Sequence, residues 1–226
     1  MNIINNSMNS IKYAVKNGYY IPILHAGIYM ITNDHFLSTI IALKAYPANY
    51  FYWFCGYYSY LPKHNWVKQF IRFTDSGHIV SFLYYFYPQY LPLAFNVHYV
   101  ITFGYWGGRI ALKMNDADKL IIPEIDPVFE ETWSGMVHGV PLILLTQRIL
   151  NQTECVPFDY ASLKLTYGWN YFWLFAIYIP WRLYTGDCVY DILSHKSSWK
   201  KIAVFFAFIH FLVLTGNFTG YLMAGC

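Results

Sequence analysis

The spacing of Asp, Glu, Lys and Arg constrains this chain more than any other feature. Charge-free intervals run 17–33, 45–62, 76–108, 132–147, 165–181 and 202–226. A helix that crosses a bilayer needs about 20 mostly apolar residues. Six intervals meet that length approximately, once Lys and Arg at the ends reach out to the headgroups. The 76–108 interval is too long for one helix. Pro88 and Pro92 break its first part and leave a span near 92–111, because proline interrupts the helical hydrogen-bond ladder. The stretch 77–90 then reads as a re-entrant or interfacial piece, or as half of a seventh span. Hydrocarbon cannot satisfy backbone N–H and C=O groups, so spanning segments must satisfy their own. The expected fold is all-α: a polytopic membrane helix bundle of about six transmembrane helices. It forms a single integral membrane domain over residues 1–226, with the Asn- and Ser-rich residues 1–10 as a mobile N-terminal tail.

Composition argues against the soluble alternative. Charged residues make up 12% of the chain, against about 25% in soluble domains. Fifteen basic and twelve acidic residues are too few to solvate a shell around six apolar helices. Aromatics reach 22%, which suits the membrane interface, where Tyr and Trp place an apolar ring beside a wet tip. A net charge of +3, with no basic run longer than Lys200-Lys201, gives no footprint for nucleic acid. Cys55, Cys155, Cys188 and Cys226 form no CxxC pair, and a disulfide framework is not expected. Lys12 and Lys16 precede an apolar run that ends in Thr32-Asn33-Asp34 rather than at a small-residue cleavage site, so this run reads as the first span. Under six spans the Lys and Arg divide almost evenly between the two sides, and orientation stays open. Asn151-Gln152-Thr153 is a glycosylation sequon, usable only in a luminal loop.

Eight histidines carry most of the potential chemistry. His25, His98, His138 and His210 fall within expected spans; His35, His64, His78 and His195 fall in or near loops. A single histidine is most often a tether at a helix interface. An ionisable group inside a membrane is costly, however, so each is also a functional candidate. No HxxxH or HExxH spacing occurs, and neither a metal nor a cofactor is expected. The carboxylates Asp126, Glu130 and Glu131 match no calcium loop and read as a solvated helix start. His138 stands apart by its setting. It follows the acidic run Glu124, Asp126, Glu130, Glu131 and Trp133, and it opens the apolar stretch Val140-Pro141-Leu142-Ile143-Leu144-Leu145. Gly135 and Gly139 have the small-xxx-small spacing that admits a neighbouring helix. A neutral imidazole there can take a proton from a hydroxyl nucleophile.

Two motifs resemble the androgen-induced gene product family of multi-pass membrane proteins. One is Leu120-Ile121-Ile122-Pro123, with Trp133 ten residues after the proline and a histidine-bearing helix beyond it. The other is Thr185-Gly186-Asp187-Cys188-Val189-Tyr190, similar to the family's Thr-Gly-x-Trp-Val-Tyr. The resemblance covers about 92–195. It implies an intramembrane hydrolase of fatty-acid esters of hydroxy fatty acids, with a threonine nucleophile and a histidine base, in the endoplasmic reticulum or another endomembrane. The chain departs from the family in three places. Arg182 and Leu183 stand where the family has two histidines, matching His138 requires a gap, and the family's threonine position falls near Pro47. On this reading His138 is the base. Thr39, in His35-Phe36-Leu37-Ser38-Thr39, is the expected nucleophile, with Ser38, Thr32 and Ser59 as alternatives.

An ester hydrolase also needs donors for its oxyanion, and Asn96 and Asn170 are candidates, although both residues equally suit hydrogen bonding between helices. The expected partners are membrane lipids and a lipid ester substrate. The competing reading is a non-catalytic membrane scaffold or lipid-binding protein of the same fold. A transporter ranks last, because no internal repeat accompanies Pro88-Gln89-Tyr90-Leu91-Pro92.

Overall fold

The computed structural model describes residues 20–43, 71–111, 127–186 and 188–224. The expected tail 1–10, the interval 45–62, Ser59 and His64 lie outside them. All regular structure among the described residues is helical. The helices are α1 (Ile21–Thr32), α2 (Phe73–Phe86), α3 (Leu91–Ala111), α4 (Pro127–Leu150), α5 (Tyr160–Phe172), α6 (Ile179–Thr185) and α7 (Trp199–Ala224). Residues 35–43 are also helical. The chain divides into two compact units. One holds Met1–Val67 and Leu120–Val137, the other Lys68–Lys119 and His138–Cys226.

In the first unit, α1 begins with a proline in its first turn and stops at Asn33, whose left-handed backbone (φ 51°) caps the helix by donating to Tyr29 O. Asp34 Oδ1 then accepts from Leu37 N at 2.9 Å and starts the helical stretch 35–43. His35 stacks on Tyr29 at 3.9 Å between ring centroids.

The second unit is a run of helices that alternate in direction. Tyr87 leaves the helical region (φ −133°, ψ 88°) because Pro88 follows it. A 3₁₀ turn, Pro88–Tyr90, leads into α3. The break therefore sits at Pro88. Pro92 is the second residue of α3, where a missing N–H costs nothing. The long charge-free interval thus folds into a hairpin of a 14-residue and a 21-residue helix. Gly77 lets α2 lie directly on Val97, His98 and Ile101 of α3.

Tyr160 to Thr185 is one helical run in three parts: α5, a π-helix over Trp173–Tyr178, and α6. The junction residues Phe172, Trp173, Tyr178 and Ile179 all keep helical dihedrals. Pro180 explains the change of pitch. Its ring removes a donor and crowds the carbonyl one turn back, and a wider turn relieves that crowding.

The unit has two distinguishable ends. At the Tyr87 end, Asn96 Nδ2 donates to Thr166 Oγ1 (3.1 Å) and to Asn217 Oδ1 (3.0 Å), tying α3, α5 and α7 together. Arg148 Nε donates to Tyr84 OH there at 2.8 Å. At the Phe73 end, Trp173 Nε1 donates to Ile71 O and Tyr190 OH accepts from Phe73 N, both at 2.9 Å. Trp173, Tyr178, Val189, Ile192 and Leu193 form a buried cluster at that end.

Two sequence expectations change. The close helix approach falls at Gly216 and Gly220 of α7, which face Tyr99 and Phe158, whereas a Cβ at Gly139 would meet nothing within 4 Å. Cys155 is disulfide-bonded, while Cys188 Sγ donates to Leu193 O at 3.7 Å. Among the described residues α7 is the one helix long and apolar enough to cross a membrane.

Candidate functional site

His138 lies midway along α4, in the turn before Pro141. Pro141 has no N–H, so the carbonyl of Val137 loses its helical donor and the turn holding His138 is weakened. Thr102 Oγ1 donates to His138 O at 2.5 Å, tying that turn to α3. The imidazole is held as well as the backbone. Tyr105 stacks on it at 3.8 Å and 9°, and Arg109 in turn sits over Tyr105 at 5.3 Å and donates to its hydroxyl.

The atom that faces His138 Nε2 is Thr74 Oγ1, at 3.1 Å. Thr74 is the second residue of α2 and is 8% exposed. Both side chains line a cavity of about 140 Å³, the size of a cavity that takes up one benzene-sized molecule. Val100, Ile101, Leu174 and Phe206 supply apolar wall, and no Asp or Glu occurs among the described lining residues. Asn170 also lines it, and the nitrogen and oxygen of its amide are both buried without a hydrogen-bond partner. Buried polar groups are nearly always bonded, so an enclosed, unbonded amide on a cavity-lining residue is an exception that calls for a role.

Three other hydroxyl–imidazole pairs occur among the described residues. Ser81 Oγ and His98 Nε2 are 2.7 Å apart, but both residues are sealed in the core at 1% and 0% exposure. Ser38 Oγ and His25 Nε2, in the first unit, are 3.1 Å apart, and Ser38 is equally enclosed. Neither of these two pairs lines the cavity; the third, Tyr171 OH with His210 Nε2 at 3.4 Å, does, but it is longer than the Thr74–His138 contact and its hydroxyl is a phenol rather than an alkyl alcohol.

The expected site residues fall as follows. His138 has a hydroxyl partner opening on a cavity. Thr39 is half-buried in the stretch 35–43. Ser38 is committed to His25 and His35 O, and Thr32 Oγ1 donates to Ile28 O. Asn96 is engaged between helices, while Asn170 faces the cavity. Sequence reasoning did not single out Thr74. It stands between Arg72 and Asp75, just outside a charge-free interval, and so reads as loop. No protein-family model, curated protein or solved structure matches this chain.

Proposed function

We propose that this chain is a multi-pass membrane hydrolase of lipid esters, with Thr74 as nucleophile, His138 as base and acid, and Asn170 as oxyanion donor. The observation that carries the reading is the 3.1 Å contact between Thr74 Oγ1 and His138 Nε2 in the wall of an apolar cavity. A threonine hydroxyl is a weak nucleophile until an adjacent base takes its proton. Thr74 Oγ1 attacks the ester carbonyl carbon as its proton passes to His138 Nε2. The amide N–H of Asn170 then stabilises the oxyanion. Collapse breaks the C–O bond to the alcohol, which leaves with the proton from His138. Water, deprotonated by His138, attacks the acyl-threonine, releases the carboxylic acid and returns the proton to Thr74.

The membrane setting draws support from the surface. On α7, Val204, Phe211, Leu214, Phe218 and Leu222 are all more than half exposed. Soluble monomers rarely show such a contiguous apolar face. Tyr160 to Thr185 spans 26 residues by number, roughly 39 Å if wholly α-helical, with Lys164 and Arg182 its only charged residues. The cavity volume suits the scissile group and a short length of alkyl chain, so a longer chain must lie along the helices outside. The resemblance to the androgen-induced gene product family adds the substrate class, fatty-acid esters of hydroxy fatty acids, and an endomembrane location such as the endoplasmic reticulum.

The test is hydrolysis of such an ester by the purified full chain in detergent, beside Thr74→Ala, Thr74→Ser and His138→Ala. Turnover that survives in Thr74→Ser and is lost in the other two supports the reading, as does an acyl adduct mapped to Thr74. Monodisperse wild-type protein with no turnover would instead favour a scaffold or lipid-binding protein.

A further inference from the structure

The six-span count leaves orientation undecided because it puts the loops 63–75 and 148–164 on one side. The helix directions in the second unit separate those loops. α2 runs from Phe73 to the Pro88 turn, and α3 runs back beside it, since Gly77 meets Val97 and Ile101. α4 passes from His138, beside Thr74 and Tyr105, to Arg148, on Tyr84. The run from Tyr160 to Thr185 returns, with Thr166 on Asn96 at one end and Trp173 on Ile71 at the other. α7 completes the set, placing Phe205 and Phe206 by the Trp173 cluster and Asn217 by Asn96.

Among the described residues, Arg72, Arg109, Arg182, Lys196, Lys200 and Lys201 therefore lie toward the Phe73 end, while Arg148 and Lys164 lie toward the Tyr87 end. Lys and Arg flanking membrane helices concentrate on the cytosolic side. The Tyr87 end carries one mark of the opposite side and one feature compatible with it. Cys155 is disulfide-bonded, as an oxidising compartment allows. The exposed sequon Asn151-Gln152-Thr153 lies in the same loop. The bias in charge and the oxidised cysteine are independent, and they agree.

We infer that the Phe73 end faces the cytosol and the loop 151–159 faces the lumen, so that the Thr74–His138 cavity draws its ester from the cytosolic leaflet. Its residues Arg72, Thr74, Tyr105, Arg109, Tyr190 and Leu193 all belong to the Phe73 end. The leaflet assignment rests on the hydrolase reading. The orientation rests only on a multi-pass bundle.

The experiment reads the two parts separately. The full chain is made in sealed endoplasmic-reticulum vesicles with a flexible Gly/Ser segment bearing one Asn-Ser-Thr sequon. The segment is inserted between Thr153 and Glu154 in one version and between Lys196 and Ser197 in another. The expected result is one added glycan, removed by endoglycosidase, in the first version and none in the second, each compared with the untagged chain. The reverse pattern, modification of both, or modification of neither overturns the orientation. The same vesicles then receive an ester whose leaving alcohol carries a membrane-impermeant sulfonate. Hydrolysis without permeabilisation supports the cytosolic leaflet, and hydrolysis only after permeabilisation overturns it. No hydrolysis in either state, with the tags reading as expected, rejects the catalytic reading and leaves the orientation standing.

Discussion

The ring of Tyr105 lies 3.8 Å from that of His138 and 9° from parallel with it. This stack, with the Thr102 bond to the backbone of His138, fixes both the helix and the imidazole against α3. An aligned aromatic stack contributes about 0.5–1.5 kcal/mol, which on the proposed role of His138 as base converts to roughly 2–10-fold in rate. Tyr105→Ala is therefore expected to lower kcat by up to about 10-fold, with KM little changed. Tyr105→Phe keeps the stack, loses the Arg109 bond and is expected to retain most of the activity. Steady-state kinetics on the two variants check the ordering. Equal losses in both would assign the effect to the hydroxyl instead.

Asn170 is expected to show opposite effects on stability and turnover. A buried amide without a partner carries a desolvation cost of about 1–3 kcal/mol, and both polar atoms of Asn170 are in that state. Asn170→Leu removes that cost in a cavity with apolar walls, so its thermal midpoint in detergent is expected to rise. Loss of one oxyanion donor lowers kcat by about 10²–10³. Substrate binding that does not depend on the oxyanion leaves KM nearly unchanged. A variant both less stable and less active would mean that the amide is structural.

Asn96 gives the contrasting case. Its Nδ2 bonds Thr166 and Asn217 across three helices, and it does not line the cavity. A hydrogen bond between helices contributes about 0.5–1.5 kcal/mol. Asn96→Ala is expected to lower the thermal midpoint by an amount of that order, while the protein that stays folded keeps its kcat. Measuring both quantities on one preparation separates the two asparagines, which composition cannot do.

What the sequence discloses follows from the physics that each residue obeys. His138 stands out because an imidazole in an apolar helix is costly, and that cost is visible without coordinates. Pro88 announces the hairpin for the same kind of reason, since its effect on Tyr87 is local. Thr74 is hidden. Arg72 and Asp75 flank it, so a rule built on absent charge begins the helix at residue 76, after the hydroxyl that matters. Its partner is 64 positions away, and neither periodicity nor the family spacing links them. The choice between Asn96 and Asn170 is likewise tertiary, because both have the right chemistry and only one borders the cavity. The division of Lys and Arg between the two ends depends on helix direction, which a count of apolar intervals leaves open where one interval, 76–108, holds two helices.

The glycines give the last test. Gly220 has no space for a side chain: a Cβ there would run into the ring of Phe158. Phe158 is itself buried and meets Phe95 edge-on at 5.5 Å, so the ring cannot turn aside. Overpacking of this kind costs about 1–3 kcal/mol. Gly139 is next to His138, yet a Cβ there meets nothing within 4 Å. Alanine in a helix is favoured over glycine by about 1 kcal/mol. Gly220→Ala is therefore expected to lower the thermal midpoint, and Gly139→Ala to leave it unchanged or raise it, with turnover intact. A fall in both variants would mean that the spacing of Gly135 and Gly139 does serve a helix contact. In that case α4 would pack through those glycines, and the position of His138 would depend on that contact as well as on Thr102 and Tyr105.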